Sequence, residues 1–182
     1  NPRRSPLMSQ QEPGTRRSCP LPYELYVDGS LNADRDRFTI RFRAGNTRFG
    51  ERSAGSPFIV YARTGNDLIV RNYAVAPGDQ IEDSWALADF PNGQYHLQVY
   101  GPNGFFREFI GDRNDPTLDL HATYDRTDEG NLELHFANRD GQHTYTVEVA
   151  DRSYATGTTT RPIPAGQNIA LPIDTRRSFQ WY

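Results

Sequence analysis

The sequence predicts an all-β protein built from antiparallel sheets, and three observations lead to that class. Apolar and polar residues alternate in short segments along most of the chain, each bounded by Gly, Pro, Asn or Asp. Aromatic residues, which suit a pleated surface, make up 12% of the 182 residues. No stretch has the periodicity of an amphipathic helix, so we expect sandwiches of short strands.

The first 20 residues are predicted to form an extended arm or linker. They hold four prolines and four arginines, and they show no periodicity. They also lack an initiator Met at position 1 and a hydrophobic signal region. We therefore expect the chain to be an internal piece of a longer protein.

The remaining chain supplies the strands, and the alternation predicts which side chains point inward. In the first part the inward set is Tyr23, Leu25, Val27, Phe38, Ile40, Phe42, Tyr95, Leu97 and Val99. In the second part it is Leu118, Leu120, Ala122, Tyr124, Leu132, Leu134, Phe136, Tyr145, Val147 and Val149. Such a packed sandwich is expected to leave no concave pocket for catalysis.

A weak internal repeat predicts two domains. FTIRFRAGN (38–46) resembles LELHFANRD (132–140), and VAPGDQIEDSWAL (75–87) resembles IPAGQNIALPI (163–173). Gly78 and Gly166 lie 88 residues apart, and the QY and WY pairs that follow agree to within one residue. The repeat divides the chain into an arm (1–20), a first sandwich (21–113) and a second one (114–182) that stops before its last two strands. We expect both to be immunoglobulin-like.

Composition excludes several classes of protein. The net charge of −3 argues against a nucleic-acid partner, which requires a basic surface. Cys19 is the one cysteine, so the chain has neither an internal disulfide nor a cysteine metal site. No apolar run approaches the roughly 18 residues that span a bilayer. No GxSxG motif or phosphate-binding glycine loop is present, and no cofactor is expected.

The four histidines are predicted to be surface residues. Alternation turns His96, His121 and His135 outward, and His143 follows a polar turn. His121 and His135 could lie opposite each other on neighbouring strands, as two metal ligands would. No third ligand follows at a fixed spacing, so we predict no metal site. The acidic segment 125–131 also lacks the spacing of a calcium-binding loop.

The segment VYGPNGFFREF (99–109) is predicted to be a hairpin with a candidate contact residue. GPNG favours a type I turn with a glycine bulge. Because neighbouring residues point to opposite faces, we place Phe105 and Phe109 in the core and leave Phe106 exposed. A plain hairpin explains the pattern, but an exposed Phe106, with Tyr100 and Tyr26, could also contact a lipid surface or another domain.

Three stretches resemble the C-terminal region of bacterial phosphocholine-preferring phospholipases C. They are QEPGTRRSCPLPYELYVDG (11–29), GDQIEDSWAL (78–87) and GQYHLQVYGPNGFFREFIG (93–111). The second half, from FANRDGQHTYTVEVADRSY to QWY, resembles the second copy of the small β-domain that ends those enzymes. The resemblance thus covers nearly the whole chain.

The resemblance implies an exported parent enzyme that hydrolyses phosphatidylcholine to diacylglycerol and phosphocholine. Its catalytic domain would lie N-terminal to this region, so no catalytic residue is carried over to this chain. We expect a secreted or periplasmic, non-catalytic accessory region that packs on the catalytic domain, aids contact with lipid, or does both. The alternative is a stand-alone β-sandwich module that binds carbohydrate or protein.

Overall fold

The structure, a computed structural model, describes residues 21–124, 131–152 and 157–174. The strands are β1 (Leu25–Leu31), β2 (Arg37–Ala44), β3 (Ser56–Thr64), β4 (Asp67–Val75), β5 (Gln80–Ala86), β6 (Tyr95–Tyr100), β7 (Phe106–Gly111), β8 (Leu118–Tyr124), β9 (Leu132–Asn138), β10 (Tyr145–Ala150), β11 (Thr158–Ile163) and β12 (Asn168–Ile173). The described part of the chain contains no α-helix, and none of its helical turns has the length or hydrophobicity to cross a membrane. The predicted all-β class is confirmed.

Two antiparallel sheets enclose the main core. One has the order β1-β2-β5 and the other β4-β3-β6-β7. Their inner faces carry the buried apolar residues, which include the predicted set Leu25, Val27, Phe38, Ile40, Phe42, Tyr95, Leu97 and Val99. Aromatic rings from both sheets meet there, because Phe42 stacks on Tyr73 with ring centroids 4.5 Å apart and lies 5.5 Å from Phe58. The predicted alternation therefore describes this core correctly.

A polar cluster joins the two sheets across the core. Asp83 on β5 accepts hydrogen bonds from Arg71 Nη1 at 2.8 Å and from the Tyr73 hydroxyl at 2.6 Å, both from β4. Burial alone would raise the pKa of Asp83, but the hydrogen bonds from Tyr73 and Arg71 outweigh it and lower that pKa. The Arg71 guanidinium also lies 4.9 Å from the Trp85 ring centroid.

Within the described residues, the second half repeats part of the strand order of the first, at lower burial. Its three-stranded sheet has the order β12-β9-β8, and β10 pairs with β11. Phe136 and Ile163 are its buried apolar residues among those described, whereas Leu120 on the predicted inner face is 47% exposed. The prediction that the whole inward set is core is therefore wrong at Leu120, because no second sheet in the described chain covers it.

A hydrogen-bonded junction fixes the start of the second half to the first. Arg35 donates to the carbonyls of Arg113 and Asp115 at 3.0 and 2.7 Å and to the Thr117 hydroxyl at 2.6 Å. The Tyr95 hydroxyl donates to the Asp115 carboxylate. The segment between β7 and β8 is therefore held against the first pair of sheets.

A buried carboxylate organises the opposite end of the first core. Glu24 is 2% exposed, and its Oε1 accepts hydrogen bonds from the Tyr26 and Thr47 hydroxyls, both at 2.7 Å. Its Oε2 accepts the backbone N–H of Arg48 at 2.9 Å. Burial would raise the pKa of Glu24, but these hydrogen bonds more than compensate and lower it below its ordinary value of 4.5.

We expect Glu24→Gln to lower the free energy of unfolding by about 1–3 kcal/mol at pH 7, because charge-assisted hydrogen bonds are lost at a buried site. The folded pKa lies below the unfolded one, so this contribution is present above about pH 4.5. It is lost as the pH falls through the folded pKa. Urea unfolding of both proteins at pH 7 and at successively lower pH measures the difference.

Glu82→Gln is the matched control, because Glu82 forms an exposed ion pair with Arg41. Such a pair contributes about 0–1 kcal/mol. A Glu24→Gln effect no larger than that of Glu82→Gln, or one that does not shrink on acidification, would contradict the assignment.

Candidate interaction surface

The outward face of the four-stranded sheet carries a row of exposed apolar side chains. Phe58, Val60 and Ala62 point into the core, so the intervening side chains of β3 point outward. Strand pairing places Ile59 opposite Tyr100 and Tyr100 opposite Phe106. We call these three residues, together with the neighbouring Tyr61, the aromatic row: Ile59, Tyr61, Tyr100 and Phe106.

The aromatic row is a contact network open to solvent. Tyr100 and Phe106 are each 41% exposed, and their ring centroids lie 5.0 Å apart. Tyr61 meets Tyr100 edge-on at 5.5 Å. The rings hold one another in place at little further entropic cost, which makes the row a preformed apolar surface.

A polar group adjoins the aromatic row on the same face. Glu108 Oε1 lies 2.8 Å from His96 Nε2 and accepts a hydrogen bond from Gln98 Nε2 at 2.8 Å. The hydrogen bonds from His96 and Gln98 lower the pKa of the Glu108 carboxyl. The group therefore sets a charged boundary between the aromatic row and Ile110, which is farther along β7.

The hairpin that ends the aromatic row orients its phenylalanines as the alternation predicts. Phe105 and Phe109 pack against the core, and Phe106 faces outward. The predicted positive φ at Gly104 is confirmed at 76°. The predicted type I turn is wrong, because Asn103, its third residue, has φ 58°, and a type I turn places that residue at negative φ. The same tripeptide, Pro-Asn-Gly, makes the same turn at 91–93, with Asn92 at φ 57°.

Tyr26 does not lie on this face. It sits on β1, where its hydroxyl bonds Glu24 and the Arg43 guanidinium covers its ring at 3.9 Å. Tyr124 of β8 meets the ring edge-on at 5.6 Å. Burial and the bond to Glu24 raise the pKa of Tyr26. The structure thus brings Tyr100 and Phe106 together and places Tyr26 in the contact between the two halves.

His121 and His135 lie opposite each other, as the pattern suggested. Their rings stack with centroids 4.8 Å apart. His135 Nε2 lies 2.8 Å from the Thr123 hydroxyl and 3.2 Å from Glu133 Oε2. In a catalytic triad the histidine uses one ring nitrogen for the nucleophile and the other for the carboxylate. Both contacts of His135 use Nε2, so His135, Thr123 and Glu133 do not have the geometry of such a triad. Within the described residues, no three His, Cys, Asp or Glu side chains cluster as metal ligands would.

A cleft of about 830 Å³ is present, although the alternation predicted a packed sandwich with no concave pocket for catalysis. It lies where β1 and β7 meet β8 and β9. Arg107, Asp28 and His121 stand on its wall among apolar side chains. Burial raises the pKa of Asp28 and lowers that of Arg107.

Sequence reasoning missed several parts of this surface. Tyr61 and Ile59 lie on β3, which no expectation covered, although the continuous apolar run FIVYA within SPFIVYART is typical of a strand. Arg107 shares parity with Phe105 and Phe109, so its inward direction was readable from the sequence. Its guanidinium lies 4.9 Å from the Phe105 ring centroid. The position of Tyr26 beside Tyr124 had no signal in the sequence.

Comparison with known proteins assigns the chain to a family. A model of the family described as bacterial phospholipase C, C-terminal domain, matches residues 17–112, just over half of the chain. The non-hemolytic phospholipase C of Pseudomonas aeruginosa strain PAO1 is 32% identical over 183 residues, which cover 96% of this chain and 25% of that protein. The non-hemolytic phospholipase C of Burkholderia pseudomallei strain K96243 is 33% identical, covering 96% and 24%.

The hemolytic phospholipase C of P. aeruginosa strain PAO1 is 32% identical over 152 residues, which cover 70% of this chain and 20% of that enzyme. The chain thus spans about a quarter or less of the length of these relatives. The match over the first pair of sheets and the all-β structure agree with the sequence resemblance. This chain belongs to the family of bacterial phospholipase C C-terminal domains.

Proposed function

We propose that this chain is a non-catalytic accessory region of a secreted bacterial phospholipase C. The observation that carries the proposal is its match to the C-terminal domain of enzymes about four times its length. The parent enzyme would hydrolyse phosphatidylcholine to diacylglycerol and phosphocholine through an N-terminal catalytic domain. It would act in the periplasm or outside the cell.

We propose further that the chain comprises two tandem immunoglobulin-like sandwiches, at 21–113 and 114–182, after an arm at 1–20. The shared strand order supports this division, since β8, β9 and β12 pair as β1, β2 and β5 do. The β10-β11 pair matches the β3-β4 pair in the same way. The tight turns at Gly78 and Gly166, both at positive φ, fall at equivalent points.

The aromatic row is the surface we assign to contact with the catalytic domain. The buried centres of protein interfaces are enriched in aromatic residues and surrounded by a polar rim. Tyr61, Tyr100 and Phe106 form such a centre, and the Glu108 group forms part of such a rim. Tyr26 belongs to a different contact, the one between the two halves of this chain, because it packs against Tyr124 of the second half.

Contact with a lipid surface is the second candidate role for the aromatic row. It is favoured by the exposed pairing of Tyr100 with Phe106, since Tyr joins an apolar ring to a polar hydroxyl and favours the membrane boundary. A stand-alone module that binds carbohydrate or protein remains the alternative to both. Glycan-array binding by a chain with no phospholipase domain encoded upstream would favour it.

We expect Phe106→Asp in the full-length enzyme to speed protease cleavage between the catalytic and C-terminal regions about tenfold, because a charge in the interface centre weakens packing. Limited proteolysis followed by mass spectrometry measures the rate. Leu120→Asp is the matched control, since Leu120 is similarly exposed but lies in the second half. Equal cleavage of wild type and both variants would contradict packing through the aromatic row.

We expect the 182-residue chain alone to release no phosphocholine from phosphatidylcholine vesicles. Sedimentation of the same vesicles tests lipid contact, with Phe106→Ala compared against wild type. A bound fraction that falls with Phe106→Ala would support the lipid role, and absence of binding by both proteins would leave packing alone. Phosphocholine release above the buffer rate would contradict the accessory role.

A further inference from the structure

The outer edge of β4 differs from the other strand edges of the described chain. β4 ends the four-stranded sheet, and no described strand pairs with its second edge. Leu68, Ile69 and Val70 are exposed in succession, at 52, 41 and 46%. Consecutive exposed residues lie on both faces of a strand, so solvent reaches this edge from both sides.

The other edge strands carry the features that prevent pairing with another chain. Natural edges are protected by charges, prolines or covering segments. Among the described edge strands, β1 is covered by its packing against β8. The remaining edge strands carry charged residues or prolines: Glu82 and Asp83 (β5), Arg107 and Glu108 (β7), Asp119 (β8), Glu148 (β10), Pro162 (β11) and Pro172 (β12). The nine residues of β4 contain no proline, and the charges Asp67 and Arg71 flank its apolar centre.

We propose that β4 pairs with β4 of a second copy of this chain, antiparallel and centred on Ile69. A two-fold axis perpendicular to the sheet keeps each face on its own side, so the axis must lie midway between the two copies of one residue. Centred on Ile69, the pairing places Leu68 opposite Val70 and Asp67 opposite Arg71 of the second copy. Symmetry repeats each of these contacts.

The charges single out this register. Opposite residues of an antiparallel pair share a face, and opposite charges there are favourable. Moving the axis to Arg71 would place two arginines against each other, and moving it to Val70 would face Ile69 with Arg71. Arg71 can accept a second carboxylate, because its bonds to Asp83 and to the Ser84 carbonyl both use Nη1 of a group with five N–H donors.

This inference goes beyond the proposed function, because it concerns a different surface and a different partner. The aromatic row lies on the outward face of β3, β6 and β7, whereas the proposed contact is made by the backbone at the free edge of β4. The pairing uses each β4 once, so it predicts a closed dimer and no larger assembly.

Sedimentation velocity of the 182-residue chain over a range of concentrations tests the dimer. We expect the mass to rise from 20.7 kDa toward twice that value. Asp67→Arg should weaken the dimer about tenfold or more, because two attractions become repulsions between like charges. Asp34→Arg makes the same charge change on an exposed loop and should leave the dimer intact. A mass of 20.7 kDa at all concentrations, growth beyond a dimer, or equal association of Asp67→Arg would overturn the proposal.

A cross-link tests the register directly, in a Cys19→Ser background. Opposite Cα atoms of an antiparallel pair lie about 4.5–5.5 Å apart, within the range of a disulfide. Ile69→Cys should therefore form a disulfide-linked dimer under mild oxidation. Ile110→Cys, on the far strand of the same sheet, should stay monomeric. Equal cross-linking of the two variants, or none at Ile69→Cys, would overturn the register.

Discussion

The structure depends on one constraint: a strand has two faces, and a sandwich of two sheets buries only one of them. Phe42, Phe58 and Trp85 occupy the buried side together with the other core residues. The opposite side must face water or a partner. On that side the four-stranded sheet exposes several large apolar side chains. Exposed apolar patches are typical of interaction sites, so this outward face is the candidate functional surface.

The same constraint explains where polar groups enter the core. A polar side chain on an inner face must be satisfied by hydrogen bonds. Asp83 meets Arg71 and Tyr73 across the sandwich, and Glu24 collects three donors at its end. The Asp83 group fixes the two sheets relative to each other, whereas the Glu24 group fixes the start of β1 against the loop that follows β2.

The second half is less complete as a packed unit within the described chain. Asn138 Nδ2 donates to the carbonyls of His143, Ile163 and Pro164, which ties β9 to the segments around β10 and β11. Phe136 and Ile163 are the buried apolar residues of this half among those described, and a cleft lies beside β8. The hydrogen bonds of Arg35 and the contact of Tyr26 with Tyr124 therefore connect this half to the better-packed one.

The sequence by itself determined the all-β class, the inward residues of β1, β2 and β6, and the outward direction of Phe106. These follow from period-two alternation, which is a local property of the chain. Only the tertiary structure decided that Tyr100 and Phe106 join Tyr61 and Ile59, that Tyr26 belongs to the junction, and that a cleft opens beside Arg107. Those facts depend on which strands become neighbours, and alternation fixes the face of a residue without fixing its neighbour.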